Sequence, residues 1–96
     1  MAETYRYVFK PNVSMVEVQA SLLLSVWATE ALHGTSQVQL DADYEFDEED
    51  RKVVIDASTE VGKDLNRILM GFLQREFEPH EFSVERITET PQPVAA

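Results

Sequence analysis

Apolar residues recur with two different periods along this chain, and the periods divide it into strands and helices. Residues 4–10 are rich in aromatic and β-branched side chains, which favour a strand. In that strand Tyr5, Tyr7 and Phe9 share one face. The pattern predicts a first strand that ends at the Pro11-Asn12 pair.

A long helix is predicted over residues 15–33, because its start signal is unusually complete. Ser14 and Glu17 match the capping box S-x-x-E. Val13 and Val18 stand where a hydrophobic staple would join the residue before the cap to the fourth helical residue. Gly34 is a natural left-handed terminator, so we expect the helix to end at His33.

The middle of the chain predicts a β-hairpin. Residues 38–46 alternate, with Val38, Leu40, Ala42, Tyr44 and Phe46 on one face and polar residues on the other. The polar cluster 47–50 predicts a turn, and residues 51–57 predict the returning strand.

The last third of the chain predicts a second helix and a final strand. The helix is expected to begin near Ser58 or Thr59 and to end near Phe77 or Glu78, because Pro79 cannot continue it. Residues 80–87 then predict a strand. The following segment, 88–96, contains two prolines and no apolar period, so we expect a flexible tail.

The predicted order is strand, helix, strand, strand, helix, strand. The ferredoxin-like split βαβ sandwich is the economical α+β fold for that order. It would place two helices on one face of a four-stranded antiparallel sheet, with the second strand at an edge. We expect a single domain over residues 1–87, since 96 residues leave no room for a second core.

The first predicted helix carries two apolar stripes, although a helix lying on a sheet needs only one. We expect the first stripe to face the sheet; it consists of Val16, Ala20, Leu23, Trp27 and Ala31. The second is a candidate partner surface, most simply for a homodimer; it consists of Met15, Val18, Leu22 and Val26. The alternative is that the two helices pack side by side and bury these flanks.

Charge adds a second candidate surface. The chain has 18 acidic and 8 basic residues, for a net charge of -10, and seven of the acids lie within residues 41–50. The candidate residues are Asp41, Asp43, Glu45, Asp47, Glu48, Glu49 and Asp50. Three interpretations stay open: protection of a sheet edge from pairing, docking of a basic protein partner, and mimicry of a nucleic-acid phosphate row.

Several chemistries find no support in the sequence. The chain has no cysteine, so thiol catalysis and cysteine-bound metals are excluded. The acids from Asp41 onward lack the glycine and the final glutamate of an EF-hand loop. The two histidines, His33 and His80, are expected at opposite ends of the sheet. We therefore predict no catalytic residues, no metal site and no cofactor.

These observations favour a small acidic, non-enzymatic protein–protein interaction module, oligomeric and cytoplasmic. The acidity argues against direct nucleic-acid binding, and no apolar run is long enough to span a membrane. One alternative is an acidic inhibitor that mimics nucleic acid. Another is a ligand-binding or enzymatic domain on the open sheet face, where Arg6, Lys10, Lys52 and Asp56 could converge.

Overall fold

The computed structural model of the protein describes residues 2–89, which form four strands and three helices. These are β1 (Ala2–Phe9), α1 (Met15–His33), α2 (Thr35–Asp41), β2 (Asp43–Asp47), β3 (Lys52–Asp56), α3 (Glu60–Glu76) and β4 (Phe82–Glu89). The α+β class and the four-stranded antiparallel sheet are confirmed. Residues 90–96, most of the predicted tail, lie outside the described residues.

The sheet has the order β2-β3-β1-β4, so β2 and β4 are its edges. In the register, Tyr7 lies opposite Val53 on one side and Val84 on the other. The face that carries Tyr7 turns inward because its central side chains are apolar; Tyr7, Phe9, Val53 and Ile55 are buried. The opposite face of the sheet has no helix among its core partners, and we call it the open face.

The helices complete the core on the inward face. Buried residues of α1 and α3 join the sheet in one cluster, and the two long helices pack against each other. Gly62 allows α3 to approach β3 closely, since a Cβ atom there would lie 2.1 Å from the carbonyl oxygen of Asp56. No helix within residues 2–89 is both long enough and apolar enough to cross a bilayer.

The predicted first half of the hairpin is wrong, because residues 35–41 form the helix α2. Val38 and Ala42 are two strand periods apart and also one helical turn apart, so alternation alone does not separate the two structures. The helix buries Val38 and leaves Leu40 79% exposed, whereas a strand would have buried both. A hydrogen bond from the side chain of Gln37 to that of Asp41, four residues on, further stabilises the helix.

The predicted two-helix count is therefore wrong, while other boundaries lie close to expectation. α3 is capped by Thr59, whose hydroxyl oxygen accepts a hydrogen bond from the Gly62 N–H at 3.0 Å. The last strand begins at Phe82 rather than at His80, which lies in a turn. β4 continues to Glu89, two residues beyond the predicted end of the domain at residue 87.

Candidate interaction surfaces

The predicted assignment of the two apolar stripes of α1 is reversed in the structure. The stripe proposed for a partner lies in the core: Met15, Val18, Leu22 and Val26 are 0–9% exposed. The stripe expected to face the sheet is exposed instead. The four buried residues are therefore inaccessible to a partner in this fold.

Small hydroxyl residues lie on the buried face of α1 beside its apolar stripe. Ser21, Ser25 and Thr29 accompany the buried stripe. The Ser25 hydroxyl donates to the Ser21 carbonyl, and the Thr29 hydroxyl donates to the Ser25 carbonyl, both at 2.7 Å. Because these hydroxyl groups are satisfied by their own helix, they can be buried without a partner from another element. Their small size also suits the close packing of α1 on α3.

One signal in the sequence identifies the buried stripe correctly. A hydrophobic staple requires Val13 and Val18 to lie on the same side of the helix start. Both residues belong to the core cluster. Since Leu22 follows Val18 by one helical turn, the staple implies that the stripe containing Val18 faces inward.

The exposed side of α1 is a continuous apolar surface, which we call the outer face of α1. It consists of Val16, Ala20, Leu23, Leu24, Trp27 and Ala31, all exposed. Val16 is 72% exposed and Trp27 is 62% exposed. These positions follow one another by three, four or seven residues, so they share one side of the helix. Isolated exposed apolar side chains are ordinary, but a row of six on one helix face is typical of a contact surface.

Charged side chains flank the outer face of α1 but do not interrupt it. The acidic residues of α1 are Glu17 and Glu30, and the helix contains no Lys or Arg. Glu30 accepts a hydrogen bond from the Thr35 hydroxyl at 3.2 Å. At the C-terminal end, His33 bonds Asp64 of α3 at 2.7 Å and so links the two long helices.

The structure brings six of the seven predicted acidic residues onto one hairpin, which we call the acidic hairpin. They are Asp43, Glu45, Asp47, Glu48, Glu49 and Asp50, on β2 and the turn that follows it. Asp41 is separate because it ends α2, where its side chain accepts from Gln37. The expectation that Asp41 continues the row of β2 is wrong, since the chain is helical there.

Arg51 anchors the turn of the acidic hairpin. Its guanidinium donates to the carbonyl oxygens of Lys10 and Val13, in the loop that leads into α1. Arg51 has a φ of 54°, in the left-handed region that closes such turns. Asp47 adds a local bond, because its carboxylate accepts from the Asp50 N–H at 3.0 Å. The acidic turn is thus held beside the start of α1.

Little positive charge compensates the acidic hairpin. Within residues 2–89, the carboxylates that form ion pairs belong to other residues, namely Glu3, Glu60, Asp64 and Glu85. Asp47 lies opposite Lys52 in the register, but Asp43 lies opposite Asp56, which places two like charges side by side. The hairpin therefore presents a negative potential at one edge of the sheet.

The open face of the sheet carries the residues considered for a ligand site. Arg6, Lys52 and Asp56 lie on β1 and β3, and Arg6 forms a 2.8 Å ion pair with Glu85 on β4. Lys52 and Asp56 stand four residues apart on one strand, about 13 Å from each other. Four grooves can be described within residues 2–89, and none is lined by these residues or by Lys10.

The histidines and the buried tyrosine complete the inventory of reactive groups. His33 contacts Asp64 near the start of α3, whereas His80 follows the end of that helix, so the two are far apart. Tyr7 is buried and donates a hydrogen bond to the Asn66 side chain. Burial, and secondarily the neighbouring Tyr5, raises the pKa of Tyr7 above its usual range, so it stays protonated. Within residues 2–89, no three acidic or histidine side chains form a metal-binding group.

The groove nearest to α2 has a volume of about 340 Å³ and lies between α1, α2 and β2. Its lining mixes apolar and polar side chains, among them Val26, Val38, Glu30 and Tyr44.

The chain matches no protein-family model, and neither the curated proteins nor the solved structures show a significant likeness to it. The interpretation of its surfaces therefore depends on their geometry and chemistry.

Proposed function

We propose that this chain is a small non-enzymatic protein–protein interaction module. The observation that carries the proposal is the outer face of α1, where Val16 and Trp27 are largely exposed. We further propose that the domain is a cytoplasmic, ferredoxin-like split βαβ arrangement to which α2 is added. The order β-α-β-β-α-β with α2 inserted before β2 supports that description.

The outer face of α1 has the composition of an interface core. Interface cores are depleted in charge and enriched in aromatic side chains, and tryptophan is frequent among the residues that dominate binding energy. Trp27 lies near the middle of the outer face, between Leu23 and Leu24 on one side and Ala31 on the other. Exposing such a row to water is unfavourable, so a contact that covers it would be stabilised by apolar burial.

The acidic hairpin is the second surface of the proposed module. Its carboxylates would attract a basic protein partner and accelerate encounter, an effect that weakens as salt is added. The anchoring by Arg51 supports this role, because a turn that is already ordered loses less conformational freedom on binding. If that partner normally binds nucleic acid, the carboxylates of the acidic hairpin would imitate the phosphates of the nucleic acid.

The proposal can be tested by placing a photo-activated amino acid at one position at a time in the native host. Trp27 probes the outer face of α1, Glu48 probes the acidic hairpin, and Gln74 on the exposed side of α3 is the matched control. We expect a crosslinked protein at Trp27, including the case of a second copy of the chain. Mass spectrometry of the adducts identifies the partner and the contacted segment.

The three positions separate the possible outcomes. Adducts at Trp27 but not at Gln74 support an interaction surface on α1. Adducts at Glu48 that no longer form when nucleic acid is added to an extract of the host before irradiation support the mimicry alternative. No adduct at Trp27 or Glu48 beyond those at Gln74 contradicts the proposed function.

A further inference from the structure

We propose that the occupant of the outer face of α1 is a second copy of this chain, packed antiparallel about a two-fold axis between Leu23 and Leu24. The inference rests on the proposed function and specifies its partner. A two-fold contact presents the same surface on both subunits, so that surface must complement itself. The sizes of the side chains on α1 meet this requirement, although Glu17 and Glu30, which flank the apolar row, would face each other across the pair. The position of the acidic hairpin then decides the direction of the pair.

The side chains of the outer face are complementary in size when the helix is reversed on itself. When the two-fold axis passes between positions 23 and 24, a residue of one helix faces the residue of the other helix for which the two residue numbers add up to 47. The pairs are Leu23 with Leu24, Ala20 with Trp27, and Val16 with Ala31. The bulky indole of each copy would face the small Ala20 of the other, which allows the helices to approach closely.

Charge favours the antiparallel arrangement over the parallel one. Arg51 holds the acidic turn beside Val13, next to the start of α1. In an antiparallel pair the two starts lie at opposite ends, about 30 Å apart along the helix axes. That separation exceeds the screening length of about 8 Å in physiological salt. A parallel pair would bring the two acidic turns together at one end, where they would repel each other.

The area of the outer face is sufficient for a reversible dimer. Its six side chains expose roughly 500 Å² per copy, so a dimer would bury roughly 1,000 Å², near the lower limit for specific interfaces. We therefore expect monomers and dimers to exchange as concentration changes. Since each copy carries a net charge of -10, added salt should strengthen the dimer by screening the repulsion. A charge-attracted basic partner would show the opposite salt dependence.

Sedimentation equilibrium of the purified chain tests the proposal over a wide concentration range, at low and at high salt. We expect a dimer whose dissociation constant falls as salt is added. Leu23→Glu places a charge at the two-fold axis and should weaken the dimer by more than about tenfold. Gln74→Glu places the same charge on the exposed side of α3 and should leave it unchanged. Circular dichroism verifies that both variants fold.

Cysteine crosslinking tests the direction of the pair, because the chain has no cysteine of its own. Leu23→Cys chains should form disulfide-linked dimers readily, since the two thiols lie next to the axis. Val16→Cys chains alone should not, because the thiols would be about 22 Å apart along the axis. A mixture of Val16→Cys and Ala31→Cys chains should form the mixed dimer.

Two results would overturn the inference: a strict monomer at high concentration and high salt, or a dimer that Leu23→Glu leaves intact. Efficient disulfide formation by Val16→Cys alone would contradict the antiparallel direction. If the purified chain is a monomer while the probe at Trp27 captures a different protein in the host, the second-copy inference fails and the interaction module stands. If the purified chain is a monomer and neither the probe at Trp27 nor the probe at Glu48 captures a protein, the second-copy inference and the proposed interaction module both fail.

Discussion

The two long helices cover the same face of the same sheet, yet the residues that they expose differ in character. α3 exposes charged and polar residues such as Glu60, Arg67, Gln74 and Arg75. α1 exposes the apolar row that includes Val16 and Trp27. A helix packed on a sheet needs one apolar side. The apolar residues that α3 carries outside the core cluster, Ile68 and Phe72, are half-buried rather than exposed. The second apolar side of α1 is therefore not explained by the fold of a single chain.

The inward sides of the two helices also differ in how their polar groups are satisfied. On α1, the hydroxyls of Ser25 and Thr29 bond to carbonyls of the same helix. On α3, the side chain of Asn66 accepts a hydrogen bond from Tyr7 of the sheet. A directional bond thus ties α3 to β1, whereas α1 is held mainly by apolar packing and by the His33–Asp64 link.

The comparison predicts its largest effect at two adjacent leucines of α1. Leu22 is 3% exposed and Leu23 is 45% exposed. We expect Leu22→Ala to lower the free energy of unfolding by about 2–5 kcal/mol, because it removes a packed core side chain. Leu23→Ala should change the stability of the monomer by less than about 1 kcal/mol. Urea unfolding at low protein concentration measures both, and equal losses would contradict the assignment of the two faces.

A pair of glycines tests the two sides of α3 with opposite signs. A Cβ at Gly62 would collide with the Asp56 carbonyl, whereas nothing lies within 4 Å of a Cβ at Gly71. Gly62→Ala should therefore destabilise the domain by about 1–3 kcal/mol. Gly71→Ala should stabilise it by about 0.5–1 kcal/mol, because alanine favours a helix interior. Thermal unfolding compares the variants, and a stabilising Gly62→Ala would mean that α3 lies farther from β3.

The smallest effect concerns the hydrogen bond between Tyr7 and Asn66. Tyr7→Phe should cost about 1 kcal/mol near neutral pH, because it leaves the Asn66 oxygen without that donor. Burial raises the pKa of Tyr7, so above pH of about 10 the unfolded chain loses this proton while the folded chain keeps it. The stability that the hydroxyl contributes is therefore complete below about pH 10 and declines above it.

The pH dependence of the stability difference between the wild-type chain and Tyr7→Phe separates the raised pKa of Tyr7 from the general effects of alkali on the protein. Urea unfolding at about pH 8 and about pH 10.5 should show a gap between the wild-type chain and Tyr7→Phe that narrows at the higher pH. Tyr44→Phe is the matched control, since Tyr44 is 41% exposed. A gap that stays constant with pH would contradict a raised pKa for Tyr7.

Start and stop signals predicted the elements well where they act locally. Ser14 and Thr59 cap α1 and α3 close to the expected positions. The β2–β3 hairpin forms as expected from residue 43 onward, because its turn and returning strand carry independent signals. The strand order and the open face follow from pairings between segments that are distant in the sequence. A single sequence indicates such pairings only indirectly, through the order of its strands and helices.

Two expectations were wrong because a periodic pattern admitted two solutions. α1 has apolar residues on both sides, so spacing alone could not say whether Leu22 or Leu23 faces the sheet. Ser25 and Thr29 lie on the buried side, where hydroxyl groups that bond to their own helix can be accommodated. At residues 38–42 the strand and helix periods coincide, and tertiary packing of Val38 decided between them.

The helical structure of α2 has a consequence for aggregation. Because residues 35–41 are helical, β2 is only five residues long, and the alternating segment from Val38 to Ala42 is withheld from the sheet edge. A long exposed edge strand with alternating apolar residues would template the addition of further chains and the growth of fibrils. Melting of α2 would free this segment to extend β2 past Asp43, beyond the end of β3 at Asp56, where the sheet offers it no partner. We therefore expect the short helix to disfavour cross-β assembly, independently of the charges that follow it.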